Sequence, residues 1–301
     1  MNRSTVTTFI MTGLLDQPQL QSLLFILFLL IYILALVGNL AIIVAIFANP
    51  KLHRPMYFFL FQLAIVDIVC ASTIIPHMLR NLASATKTIS FSGCVTQLYS
   101  FTWCLGAEMV LFTVMAYDRY VAVCHPLRYS IMMSKSMCLG LSTVVIVIAV
   151  VNSCIHTGLI LRLTFCGPNV INHFFCEIPP LLVLSCSPVW INEIMVFTAD
   201  IFLAMGDFLL TCLSYLSLYY STVIYTYIRP ASTYSFKRDK IVAALYTLVT
   251  PTLNPMVYTL RNKEVKVAIK SVLLLLTNRL WHRNFKHFHI KPKVLESHDS
   301  A

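Results

Sequence analysis

Long apolar runs separated by short polar connections dominate the chain. The first four cover residues 23–47, 57–79, 94–117 and 138–161. A helix needs about 20 apolar residues to cross a bilayer. Helices are the expected form, because lipid offers no partner for free backbone N–H and C=O groups. A longer apolar stretch follows over 191–228, and a last run over 240–260. The connections are marked by proline, asparagine and charge: Asn49 to Pro55 after the first run, and a connection opening at His125-Pro126-Leu127-Arg128-Tyr129 after the third. The longest connection, 162–190, holds four prolines and Cys166, Cys176 and Cys186. No internal repeat is visible, so a transporter built from duplicated halves is not suggested.

Composition agrees. Hydrophobic residues are 58% of the chain and charged residues 11%, against about 25% charged in soluble domains. Such a chain lacks the polar surface to face water everywhere, and the lipid bilayer is its expected surrounding. The net charge of +10 raises nucleic acid as a partner, but its placement argues against one. Basic residues avoid the apolar runs and gather in the connections and the tail, which carries Lys263, Lys266, Lys270, Arg279 and Arg283. That is the charge bias of cytoplasmic loops. With Lys51, Arg54, Arg119, Arg128 and Lys135 inside, the N-terminus lies outside and the number of spans is odd. No cleavable signal peptide is expected. The organisation is an extracellular N-terminus (1–22), a transmembrane bundle (23–260) and a cytoplasmic basic tail (261–301).

Four motifs sharpen this. Met115 to Tyr129, reading MAYDRYVAVCHPLRY, ends the third run, and Pro55-Met56-Tyr57-Phe58-Phe59-Leu60 opens the second. Pro251 to Tyr258, reading PTLNPMVY, closes the last run before Arg261-Asn262-Lys263-Glu264, and Gly38-Asn39 lies in the first. In this order, over almost the whole chain, they resemble the olfactory receptor family of rhodopsin-like G-protein-coupled receptors. The resemblance implies an all-α, multi-pass bundle of the seven-helix type, a small volatile odorant as ligand, and signalling through a stimulatory heterotrimeric G protein at the plasma membrane. No enzyme signature is present, and no cofactor is expected.

The resemblance assigns candidate roles, each beside a plainer alternative. Asp118, Arg119 and Tyr120, with Asn254, Pro255 and Tyr258, match the activation switch. The alternatives are a snorkelling arginine and a plain proline kink. Asp67 and Glu108 are carboxylates inside apolar runs, where charge is costly. The position of Asp67 matches a sodium-binding residue, and Glu108 an acidic position of the family; the alternative is a pair of protonated packing residues. Extracellular cysteines are expected to pair, and the family pattern implies Cys94 with Cys176 and Cys166 with Cys186. A metal site at His173 and Cys176 fits no standard zinc spacing. Asn2 begins the glycosylation triplet Asn2-Arg3-Ser4. Phe101, Thr102, Leu105, Gly106 and Met109 share a helical face in the outer half of the third run. Ala199, Asp200 and Leu203 come from the fifth, and motif alignment adds Tyr220, Val223 and Tyr227. This set is the candidate odorant pocket, with ordinary packing as the alternative. Asn152 and His156 are read as structural.

One stretch departs from the family. Leu213-Ser214-Tyr215 resembles the end of the fifth span and Leu216 to Ser221 the middle of the sixth, yet the two are directly joined. No Lys or Arg lies between Arg162 and Arg229, where a cytoplasmic loop should carry some. The stretch 191–228 would make about 57 Å of helix, too long for one crossing of about 30 Å and short for two. The expectation is an incomplete sixth helix, and it sets a second reading beside the signalling receptor: a receptor-derived membrane protein that does not signal and is retained in the endoplasmic reticulum or associates with full-length receptors. A transporter or channel ranks third.

Overall fold

The computed structural model describes residues 6–12, 18–84, 86–166, 168–199, 201, 267 and 269. Its frame is four long helices: α1 (Pro18–Ala48), α2 (Pro55–Ala83), α3 (Phe91–Cys124) and, after the single-turn α4 (Tyr129–Met132), α5 (Lys135–Leu161). Each is long and apolar enough to cross a membrane. At 1.5 Å per residue, spans of 27 to 32 residues reach about 40–48 Å, so they tilt or project beyond the hydrocarbon. The apolar runs foresee all four helices but not their ends. α1 starts five residues before its run, because Pro18 suits a first helical turn. α3 continues to Cys124, so Asp118-Arg119-Tyr120 is helical. Residues 190–199 are helical too.

α2 and α3 are the inner helices and α1 and α5 the outer ones. Large apolar side chains stay exposed along α1 (Leu23, Leu30, Val37, Leu40) and α5 (Leu139, Ile146, Val147, Val151). In water that surface would be costly; in a bilayer it is the lipid face. Polar side chains tie the helices together. Gln62 donates to Ser142 Oγ (2.7 Å) and Ser153 to the Tyr99 carbonyl (2.6 Å).

Pro76 lies inside α2, where it removes a helix donor and disturbs the preceding turn. Gln97 of α3 bonds to the backbone close by. Its amide donates to the Thr73 carbonyl (3.0 Å), and its carbonyl accepts from Cys176 N–H (2.9 Å). Gln97→Leu leaves both backbone groups without this partner, and is expected to cost about 1–3 kcal/mol. Thermal denaturation of the purified protein in detergent measures it.

The helices run alternately up and down, which sorts their connections between two ends. One end carries Lys51, Arg54, Arg128 and Lys135. The other carries three strands, β1 (Thr8–Met11), β2 (Thr88–Ser90) and β3 (Val170–Ile171), in the order β2-β1-β3. β1 pairs antiparallel with β2 and parallel with β3. This sheet is an addition to the all-α expectation, small enough to leave the bundle architecture unchanged. Phe9 and Met11 turn inward from β1 onto Ile89, Cys94, Leu98, Ile171, Cys176 and Leu181. Phe9 meets Phe91 and Phe165 ring to ring. The segment 6–12, expected only as an extracellular tail, is the central strand of a cap.

Candidate functional site

Under that cap lies a cavity between α3, α5 and the long connection 162–190. α3 supplies Leu98, Phe101, Thr102, Leu105 and Gly106, one face repeating at three and four residues. α5 supplies Asn152 and His156, and the loop supplies Glu177, Ile178 and Pro179. Ile178 and Pro179 open the short helix α6 (Ile178–Val183). Val196 of the helical segment 190–199 closes one side. About 440 Å³ of space free of protein atoms lies within it, open solvent at the mouth included. The wall is largely apolar with a few polar groups. Among the described residues no lysine or arginine belongs to it.

Local chemistry fixes the wall. The Thr102 hydroxyl donates to the Leu98 carbonyl (2.8 Å), so it has a methyl and an acceptor oxygen to offer, but no donor. At Gly106 a Cβ would stand 3.5 Å from Ala149 Cα and 3.7 Å from Asn152 Nδ2. Alanine is tolerated there, and anything larger grows into the cavity. The roof is held by a Cys94–Cys176 disulfide (Cα–Cα 5.4 Å), and the loop by Cys166–Cys186 (5.8 Å). Both distances lie in the usual range of about 4.4–6.8 Å. Next to the roof, His173 Nε2 faces the Glu177 carboxylate at 3.8 Å, both buried. The His173 ring stacks on Phe174, and Phe175 stands edge-on to Phe101.

Four of the expected pocket residues, Phe101, Thr102, Leu105 and Gly106, therefore line one cavity. Met109 shares their face but sits deeper, in the packed core. Ala199 is half-buried and off the wall; Val196, one turn earlier, is on it. Asp200, Leu203, Tyr220, Val223 and Tyr227 lie outside the described residues, as do Asn2, Asn254, Pro255 and Tyr258. Sequence reasoning passed over Leu98, Glu177, Ile178, Pro179 and Val196, and it took Asn152 and His156 for structural residues. A signal existed for the last two. Asn152 and His156 are four apart in an apolar run, so they share a face of α5.

Deeper in the bundle, Asp67 and Glu108 are 1% and 4% exposed. Cys70 of α2 and Cys104 of α3 are free cysteines, both buried in the same core. Among the described residues no group of three or more His, Cys, Asp or Glu side chains is arranged to hold a metal ion.

At the basic end, Asp118 is buried and accepts a hydrogen bond from the Tyr129 hydroxyl (2.9 Å). Burial, then the bond to Asp118, pushes the Tyr129 phenol above its ordinary pKa. This partner was not foreseen, since it depends on how α4 folds back. Tyr120 is half-exposed, edge-on to His125. Leu127 is 96% exposed and Ile131 largely so, an apolar pair on the connection between α3 and α5.

Comparison with known proteins gives a consistent result. The family model described as "Olfactory receptor" matches residues 28–237. "Olfactory receptor 13G1" of Homo sapiens is 56% identical over 305 positions, covering 92% of this chain and 99% of that protein. "Olfactory receptor 13A1" of Homo sapiens is 48% identical over 300 positions, covering 90% and 92%. "Olfactory receptor 5AR1" of Mus musculus is 41% identical over 301 positions, covering 90% and 97%.

Proposed function

The chain belongs to the olfactory receptor family, and from that premise we propose that it binds a small volatile odorant in the cavity between α3, α5 and the outer loop. It is a multi-pass membrane protein, an odorant receptor of the G-protein-coupled class and not an enzyme. The cavity carries the proposal: an apolar pocket with Asn152, His156 and Glu177 at its polar points, under a disulfide-held roof. Gly106→Val places two methyl groups in that space and is expected to weaken odorant binding about tenfold or more. Gly106→Ala is expected to change it less. Competition binding on purified protein tests this directly; equal affinity in both variants would exclude the cavity.

The orientation we propose has the N-terminus outside the plasma membrane. The disulfides and sheet share one end, suited to an oxidising exterior. Lys51, Arg54, Arg128 and Lys135 share the other, suited to the cytoplasm. There Asp118, Arg119 and Tyr120 form the switch for a stimulatory G protein, with Tyr129 holding Asp118 and Leu127 offered as an apolar contact. A sodium ion held by Asp67 and Glu108 belongs to the same proposal, since buried carboxylates favour a cation or a proton. The ion would supply charge neutralisation. Asn2 is the proposed glycan site.

A second reading is favoured by a specific observation: the chain binds but does not couple. The 305 positions aligned with the first relative cover 92% of a 301-residue chain. That is fewer residues than positions, so part of the relative stands opposite gaps. The junction of Leu213-Ser214-Tyr215 with Leu216 to Ser221 is where the family pattern locates the missing stretch. Odorant-driven cyclic AMP, measured for this chain and for a version with the stretch restored, separates the two readings. In the restored version, Arg119→Ala is expected to abolish the response while odorant binding persists; an unchanged response would remove the switch role.

A further inference from the structure

At the basic end of the bundle, the connection between α3 and α5 has two faces. Tyr129 and Met133 are four apart and joined by a bond from the Met133 N–H to the Tyr129 carbonyl (2.8 Å). They turn inward: Met133 is buried, and the Tyr129 hydroxyl donates to Asp118. Leu127 and Ile131, also four apart, are 96% and 75% exposed. Arg128 and Lys135 beside them are exposed too. The turn between α1 and α2 lies next to this connection. Its Leu52 shares a core with Met133, and its Arg54 is near enough to Tyr129 for the charge to act on the phenol. Lys51 of that turn is exposed.

Residues 49–54 and 125–135 contain no Asp or Glu, so the charge these two connections bring is positive. Helix length sets their depth. The span of α5 has 27 residues, about 40 Å at 1.5 Å per residue. A bilayer with its headgroup layers measures about 40–45 Å. With α5 crossing it, Lys135, the first residue of the helix, stands in the headgroup layer, and the connection just before it lies at the same level. The exposed apolar face of α5 begins at once, with Met137 and Leu139. Leu127 and Ile131 therefore continue a lipid face onto the connection. Exposed apolar side chains flanked by Lys and Arg at headgroup depth suit an anionic lipid surface.

We propose that the connection between α3 and α5 docks on anionic phospholipid. Leu127 and Ile131 enter the boundary between headgroups and acyl chains, and Lys51, Arg128 and Lys135 hold the headgroups. The proposal rests on the reading of this end as cytoplasmic, since the cytoplasmic leaflet is the anionic one. It goes beyond that reading by giving Leu127 two exclusive partners. While its side chain lies in lipid, a G protein cannot take it. The apparent affinity for a G protein then falls with the fraction of chains in which Leu127 is released.

The test reads lipid contact alone, so it does not depend on coupling. The full chain carrying Leu127→p-benzoylphenylalanine or, separately, Ile131→p-benzoylphenylalanine is placed in nanodiscs and irradiated. The nanodiscs mix phosphatidylcholine and phosphatidylserine, with a trace of one or the other alkyne-tagged. Both positions are expected to label phosphatidylserine about tenfold more than phosphatidylcholine. The same substitution at Ile146, on the lipid face of α5, should label the two alike. Lys51→Gln, Arg128→Gln and Lys135→Gln should each lower the preference by up to about fivefold, and together remove it. Salt at about 1 M, which leaves the chain unaltered, should weaken it likewise, and it decides the matter if the triple variant does not fold. Both leaflets of a nanodisc have one composition, so failure here is failure of the docking surface and not of the orientation. A C-terminal epitope probed on intact cells tests the orientation separately. No lipid adduct at either position, adducts found only on added stimulatory G protein, equal labelling of the two lipids, or a preference that survives salt would overturn the proposal.

Discussion

Cells expressing this chain produce no odorant-dependent cyclic AMP, and cells expressing it with the missing stretch restored do. This is the largest effect we expect, and it follows from separating two ends of one molecule. The proposed odorant cavity includes Leu98, Phe101, Thr102, Leu105, Gly106, Asn152, His156 and Glu177, all in the half that carries the sheet and the disulfides. The proposed coupling elements Asp118, Arg119 and Tyr129 are at the opposite end. A ligand shifts an equilibrium only by its different affinity for two states. On the proposed non-coupling reading, the second state requires the cytoplasmic end of the sixth span to move outward, and the direct joining of Tyr215 to Leu216 leaves no residues to form that end. The same comparison reads surface abundance, which we expect to be lower for the shorter chain. A full odorant response and full surface staining from the exact 301-residue chain would refute the non-coupling reading.

Second in size is the loss of the roof. Cys176→Ser removes the bond that joins the outer loop to α3 across 82 residues. Breaking such a long closure is expected to cost about 2–5 kcal/mol, a large part of a stability of about 5–15 kcal/mol. Cys94→Ser should cost the same, and the double variant no more than either, because both remove one bond. Thermal denaturation in detergent measures the cost, and limited proteolysis of the 162–190 connection localises it. Additive losses would mean that the two cysteines act separately. Gln97 makes the prediction demanding: its bond to Cys176 N–H still tethers the same residue, so the loop should loosen without leaving.

The spans were legible because their signal is local and repeated: about twenty apolar residues between polar punctuation specify a helix without knowledge of anything else. The α3 wall was legible for the same reason, through its three-and-four spacing. Depth along that face was not. Met109 shares the stripe with Leu105, but what α5 packs against decides where the cavity ends. The cap was not legible at all. Thr8-Phe9-Ile10-Met11 is short, and its pairing partners lie about 80 and 160 residues away, beyond any window of local pattern. Glu177 and Tyr129 were missed because each enters its site through a loop that folds back, and loop paths follow from packing.

The central position of β1 has a consequence for biosynthesis. Residues 6–12 are made early, yet their partners come late: Thr12 bonds to Asn172, 160 residues further on, and Asn169 donates to the Thr8 carbonyl. At about 5–20 residues per second, the strand waits roughly 8–30 s for the second edge of its sheet. Through that interval Phe9 and Met11 have no complete groove to enter. The segment that leads the chain is thus among the last parts of the described fold to find its place, and a chaperone that recognises short apolar stretches has its clearest opportunity there, before α5 is finished.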